Sequence, residues 1–330
     1  LNMFLRKVIN GKITNNIYKQ FLSQIRLNGN WHLEQLKERT ILKLKGEQCS
    51  EFLQGLITND IKVLNNQKAI YAMFLNTKGR ILYDTIIYKT DCKNTFFLEC
   101  DTACMDDVER HLKVYKVRRK IDISRGEHSV WVIFKPNIQE NQDFKIELSE
   151  KCIICPDPRL PDLGYRAVVP QDANLVNDGN ERADISYKMY RYKLGIPEGK
   201  EELLIGKCFP LEMNCDFLNG VSFNKGCYIG QELTARTHHT GVIRKRLMPL
   251  ELLSLPENVS LDDPIIDTST LKPSNIGKLR GIFENYGLGL MRVTETLASK
   301  NLKIGNTNIK CSKPLWWPTE SDEYAFKKSS

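Results

Sequence analysis

No acidic residue occurs before Glu34, no apolar stretch nears the roughly 18 residues of a membrane-spanning helix, and no repeat or low-complexity tract appears. A helical membrane span and a repeat architecture are therefore not expected. The ten cysteines (49, 92, 100, 104, 152, 155, 208, 215, 227 and 311) lack the even spacing of a secreted disulfide framework. In a reducing compartment they would be free thiols. Cys152 and Cys155 have zinc-knuckle spacing, but no second pair or histidine cluster stands at partner distance. The two isoleucines between them predict a buried strand. An aromatic–basic strand motif of the RNA-binding kind is also missing.

The formal net charge of +8 suggests a polyanionic partner, but its distribution argues against nucleic acid. Residues 1–33 hold Arg6, Lys7, Lys12, Lys19 and Arg26; without those five charges 43 basic residues face 40 acidic ones, a balance of +3. A basic, acid-free opening with interspersed apolar residues reads as a targeting segment for the mitochondrial matrix, or as a disordered basic tail. With 330 residues, 41% hydrophobic and 27% charged, the chain has the composition of a globular protein built from two or three units.

Residues 38–46 alternate like an opening strand, and Ser50 precedes a short helix over 51–56. Ile70–Leu75 and Ile81–Tyr88 flank Asn76-Thr-Lys-Gly79 and predict a hairpin. Asp101-Thr102 introduces a helix with Met105, Val108, Leu112 and Tyr115 on one stripe. The proline-punctuated stretch 135–161 reads as loop-rich and tolerant of change. A helix over 185–194 stops at Gly195. After Gly241 short strands and turns predict a small antiparallel barrel over 241–330, with Pro314-Leu-Trp-Trp-Pro318 as its hydrophobic cap. The fold class is thus α+β followed by all-β.

Residues 221–246 are the most informative. Val221-Ser222-Phe223 reads as a strand that breaks at Asn224-Lys225-Gly226, and Gly230 to Arg236 has helix-forming composition. Cys227 between them would sit at a strand-to-helix turn, where backbone N–H groups and Lys225 favour thiolate over thiol. A buried structural cysteine beside a tight turn would produce the same string. His238 and His239 follow; at most one of two adjacent histidines can face Cys227, as a metal ligand or proton handler, and a surface turn is the plainer reading.

Lys225-Gly226-Cys227-Tyr228-Ile229-Gly230-Gln231-Glu232 resembles the signature of the YgfZ branch of the tetrahydrofolate-dependent aminomethyltransferase (glycine-cleavage T-protein, GcvT) superfamily. Its continuation to Arg246 is similar to the mitochondrial members of that branch, which act as iron–sulfur cluster assembly factors. Gly195-Ile-Pro-Glu-Gly199, Pro210-Leu-Glu-Met-Asn214, Phe52 to Asp60 and Phe74 to Leu82 extend the resemblance over roughly residues 38–318. It implies two interleaved α+β units over 34–240 around a folate-type cleft, a C-terminal barrel, and matrix localisation. It further implies an A-type scaffold protein as partner and a transient four-iron four-sulfur cluster shared through Cys227. Carried over residue by residue, tetrahydrofolate would be held by Asp84, Asn76, Glu212 and Arg244. Where the enzymes place a pterin-holding carboxylate the chain has Lys193, and an ammonium cannot accept the pterin's donors. An assembly factor is therefore expected, with a tetrahydrofolate-dependent one-carbon transferase as the alternative.

Overall fold

A computed structural model describes residues 31–136, 152–172, 185–256 and 258–319; residues 1–30 of the expected targeting segment lie outside them. A four-stranded sheet takes, in spatial order, β1 (His32–Gln35), β7 (His128–Phe134), β9 (Tyr165–Pro170) and β8 (Ile153–Pro156). A five-stranded sheet takes β3 (Ala69–Leu75), β4 (Ile81–Lys89), β5 (Thr95–Asp101), β2 (Arg39–Lys45) and β6 (Asp122–Arg125). The chain starts the first sheet with β1, builds the whole second sheet, and then returns to finish the first. Two α+β units are interleaved. The fold begins inside the segment assigned to targeting, since His32 and Leu33 pair with Phe134 and Ile133.

The continuous apolar run of β3 has a physical reason: the strand is covered on both faces. Tyr71, Met73 and Leu75 enter the central core, while Ile70, Ala72 and Phe74 face a second core beneath two helices, α1 (Cys49–Gln54) and α2 (Met105–Lys116). The expected hairpin forms, with β3 antiparallel to β4. Helix α3 (Tyr187–Leu194) starts where the Ser186 hydroxyl accepts from the Met189 amide at 3.2 Å. It ends where Gly195 adopts φ 75°. Val221-Ser222-Phe223, read as a strand, is instead irregular chain that bends at Phe223, with the Ser222 amide donating to the Thr58 carbonyl at 3.0 Å. Helix α4 (Gln231–Thr240) runs longer than expected and takes in both histidines.

The C-terminal unit is a closed barrel of β10 (Lys245–Leu252), β13 (Tyr286–Arg292), β12 (Ser274–Phe283), β11 (Pro264–Asp267), β14 (Leu302–Ile304) and β15 (Thr307–Cys311). Helix α5 (Val293–Ala298) and strand β11 carried no signal in the sequence pattern. Trp317 is buried in the barrel core and the Trp316 indole donates to the Leu194 carbonyl at 2.7 Å, so the closing motif caps the barrel and ties it to α3.

Between the two sheets lies a buried network of charges. Arg39 meets Asp84 at 3.1 Å and Glu99 at 2.8 Å; Arg159 meets Asp157 at 2.8 Å and Glu198 at 2.7 Å. Arg166 joins the halves by reaching Asp157 at 3.1 Å, Glu99 at 3.5 Å and Glu198. Arg191 binds Glu202 at 2.8 Å. Burial alone would discharge Glu198, but the surrounding guanidinium groups hold its carboxyl well below the usual range. Asp157 and Arg159 belong to the stretch read as tolerant loop. Both are buried, and both belong to the ion network through Arg166 and Glu198. Replacing Arg166 by Met should leave Asp157, Glu198 and Glu99 short of a partner and cost about 3–5 kcal/mol. Chemical unfolding measures this, and a cost under about 1 kcal/mol would mean that water already solvates the network.

Candidate functional site

The signature is fastened to the turn that follows α1. Backbone carbonyls at the end of a helix have no partner within it. Here the Gln54, Ile57 and Asn59 carbonyls converge on one atom, the Lys225 ammonium, which donates to them at 2.7, 2.6 and 2.9 Å. Burial pushes Lys225 down to about 8, with Asp60 opposing the shift. Three acceptors require three N–H donors, which only the charged form has, so the clamp is a protonated lysine. The Tyr228 ring lies 4.8 Å from the same nitrogen. Around the clamp, the Thr58 hydroxyl donates to the Gly220 carbonyl at 2.6 Å, the Asn59 side chain to the Asn219 carbonyl at 2.7 Å, and the Ile229 amide to the Gly55 carbonyl at 3.2 Å.

The next residues fix the start of α4. Gly230 has φ +78°, and a Cβ there would lie 2.2 Å from the Asn76 carbonyl oxygen. Only glycine allows the loop to press on the β3–β4 hairpin this closely. Gln231 and Tyr228 bond reciprocally: the Tyr228 amide donates to the Gln231 side-chain oxygen at 3.2 Å and the Gln231 amide to the Tyr228 carbonyl at 3.3 Å. Glu232 is exposed in the first turn, on the favourable side of the helix dipole.

Cys227 is carried outward between these anchors. It is exposed, and Gly226 beside it has open space where a side chain would stand. Lys225 does not serve Cys227 as the sequence suggested: its charge is turned inward to the carbonyls. Six other cysteines are buried; burial pushes Cys100 and Cys155 up to about 12 and Cys49 and Cys104 to about 11. Cys92 is the other exposed one. His238 stacks flat on Phe223, ring centroids 3.5 Å apart, and so folds the end of α4 back on the signature loop; His239 is exposed. Neither occupies the expected surface turn, because both sit in the helix's last turn. Among the described residues no group of three or more His, Cys, Asp or Glu is placed to hold a metal.

The four residues carried over for folate do not all line one cavity. The Asp84 carboxylate is engaged by Arg39 and borders a void of only about 10 Å³, far smaller than a pterin. The Asn76 side-chain oxygen accepts from the Lys78 and Arg80 amides of its own hairpin, both at 3.0 Å. Glu212 and Arg244 do line one groove of about 450 Å³ against α4, where burial raises the Glu212 carboxyl while Lys245 opposes the shift. Lys193 is exposed, 4.9 Å from the Tyr286 ring of the barrel. Asp84 and Asn76 are thus engaged within the protein, and only Glu212 and Arg244 share a groove. A separate cavity of about 410 Å³ opens beside the signature, lined by Asn59, Tyr71, Asn219 and residues 221–224.

Sequence reasoning missed the inward turn of Lys225, the Phe223–His238 stack and the buried ion network. The network did leave a signal: Arg166 stands alone inside the apolar run Tyr-Arg-Ala-Val-Val, and a buried arginine requires acids.

Residues 35–133 match the family described as the GCVT N-terminal domain, and residues 244–319 match the CAF17 C-terminal beta-barrel domain. The chain is 36% identical over 308 residues to the iron-sulfur cluster assembly factor IBA57, mitochondrial, of Mus musculus, covering 88% of this chain and 86% of that one. The Homo sapiens protein of the same name is 36% identical over 309 residues with the same coverage. The mitochondrial IBA57 homolog of Dictyostelium discoideum is 34% identical over 269 residues, 70% of this chain and 66% of that one. The crystal structure of the glycine cleavage system aminomethyltransferase T from Bartonella henselae superposes with a TM-score of 0.65 over 90% of this chain and 88% of that one, at 12% identity. That last likeness is one of fold. Identity above one third along nearly nine-tenths of the chain shows descent: the chain belongs to the IBA57 family of mitochondrial iron–sulfur cluster assembly factors.

Proposed function

We propose that the chain assists iron–sulfur cluster assembly in the mitochondrion by presenting Cys227 as one ligand of a four-iron four-sulfur cluster completed on an A-type scaffold partner. The observation that carries this is Cys227 itself, an exposed thiol on a loop held at both ends by Lys225 and Gly230. Soft thiolate suits iron. A cluster takes about four such ligands, so one cysteine implies that the others come from a second molecule. The step is a ligand exchange: the Cys227 thiol gives its proton to solvent, its sulfur bonds to iron, and one ligand leaves that iron. No electron is transferred. The cluster is cargo, passed on by the reverse exchange.

The pterin chemistry of the enzymes that share the fold plays no part in this proposal. Asp84→Asn should lower stability by about 1–3 kcal/mol, because Arg39 loses a charged partner, and should leave any tetrahydrofolate affinity unchanged. A calorimetric titration in which that variant alone loses folate binding would restore the transferase reading.

Cys227→Ser should abolish cluster transfer while stability stays within about 0.5 kcal/mol of the parent, as expected for an exposed side chain. Full transfer by that variant ends the proposal. Lys225→Met strands three carbonyls, for an expected cost of about 1–3 kcal/mol. It should slow transfer with Cys227 still present, and proteolysis at 221–229 should quicken; an unchanged cleavage pattern would show that the clamp does not hold the loop.

A further inference from the structure

Helix α2 ends in a surface that is both basic and apolar. Residues 112–121 hold five basic side chains, Lys113, Lys116, Arg118, Arg119 and Lys120, and no acid. Among them Val114, Tyr115 and Val117 are 65%, 37% and 73% exposed. Val117 follows the helix at φ 52° and ψ −111°. A β-branched residue strongly disfavours such a backbone. The strain is maintained by bonds on either side of it: Lys116 Nζ donates to the Ile121 carbonyl at 2.8 Å, the Arg119 amide to the Lys116 carbonyl at 3.0 Å, and the Ile121 amide to the Arg119 carbonyl at 3.0 Å. The result is a tied turn that pushes an apolar side chain into water between cations. Strain of this kind is unfavourable and persists where the surrounding structure holds it, commonly at functional positions.

We propose that this turn binds the surface of an anionic phospholipid bilayer. The surface exposes three apolar or aromatic side chains within a run of five cations. Its pattern of apolar tips and a tyrosine ringed by lysine and arginine matches the interface of a membrane, where the tips enter the headgroup layer and the cations meet phosphate. Among the described residues Arg118 and Lys120 enter no ion pair, so their charge is available. The turn adjoins the helix that anchors the functional loop: the Arg119 guanidinium lies 5.8 Å from the Phe52 ring of α1, and the carbonyl at the end of that helix accepts from Lys225. Attachment here would keep Cys227 close to a bilayer without any spanning segment.

The test uses the full chain with vesicles of phosphatidylcholine alone or of phosphatidylcholine containing cardiolipin. The chain should co-sediment with the anionic vesicles only, and less as salt is raised. R118E/K120E should weaken that binding on the order of tenfold or more. V117G, which removes the strain, should melt no lower than the parent and still bind the vesicles several-fold more weakly. No binding to the anionic vesicles overturns the proposal, as does binding that R118E/K120E leaves unchanged. If neither form binds vesicles but the double variant loses affinity for an acidic scaffold protein, the turn is a protein-docking surface and the lipid assignment falls.

Discussion

One ammonium group organises this molecule's functional loop. Lys225 reaches back across the chain to three carbonyls that α1 and its turn leave without partners, the longest of these bonds being 2.9 Å. A charge buried that far would be costly without full satisfaction, and here every N–H is used. The arrangement follows from helix geometry, because α1 must expose carbonyls at its end and the signature supplies one cation of the right reach. Once Lys225 points inward, the next two residues have to point elsewhere. Gly226 meets nothing, and Cys227 stands in solvent.

The core that supports this loop differs from that of an ordinary sheet sandwich. Four guanidinium groups and five carboxylates cross between the interleaved units, and several of these side chains are wholly buried. Such networks are weak contributors to stability when compared with hydrocarbon of equal volume, yet removing one member is severe. Their effect is to fix which partner meets which. Asp84 is held by Arg39, so the acid that a folate enzyme would aim at its cofactor has a structural role here. The fold is that of an aminomethyltransferase, but this interior serves to place the two sheets against one another.

Much of this architecture could be read in advance where local physics decides. The β3–β4 hairpin follows from two apolar runs around Asn76 and Gly79, the end of α3 from Gly195, and the barrel from short strands after Gly241. The signature segment singled out Cys227 at a turn and left open whether it was buried; the structure exposes it. What stayed hidden depends on contacts distant in sequence. Nothing near Lys225 indicates that its partners lie some 170 positions away, so proximity to Cys227 was taken for interaction. Asp157 and Arg159 sit among prolines, and prolines signal irregular backbone, yet irregular backbone need not be exposed. Val221 to Phe223 has strand composition, but its backbone groups bond to a turn. His238 was read as part of a surface turn, although no local signal ends α4 before Gly241.

The central claim is that Cys227 becomes a cluster ligand only when a second protein completes the set. Anaerobic reconstitution of the full chain with an A-type scaffold, followed by differential alkylation and mass spectrometry of every cysteine, addresses it most directly. The account predicts that Cys227 is protected in the cluster-bound complex, while Cys92 is alkylated equally with and without the cluster. Alkylation of Cys227 at one rate in both states would contradict it.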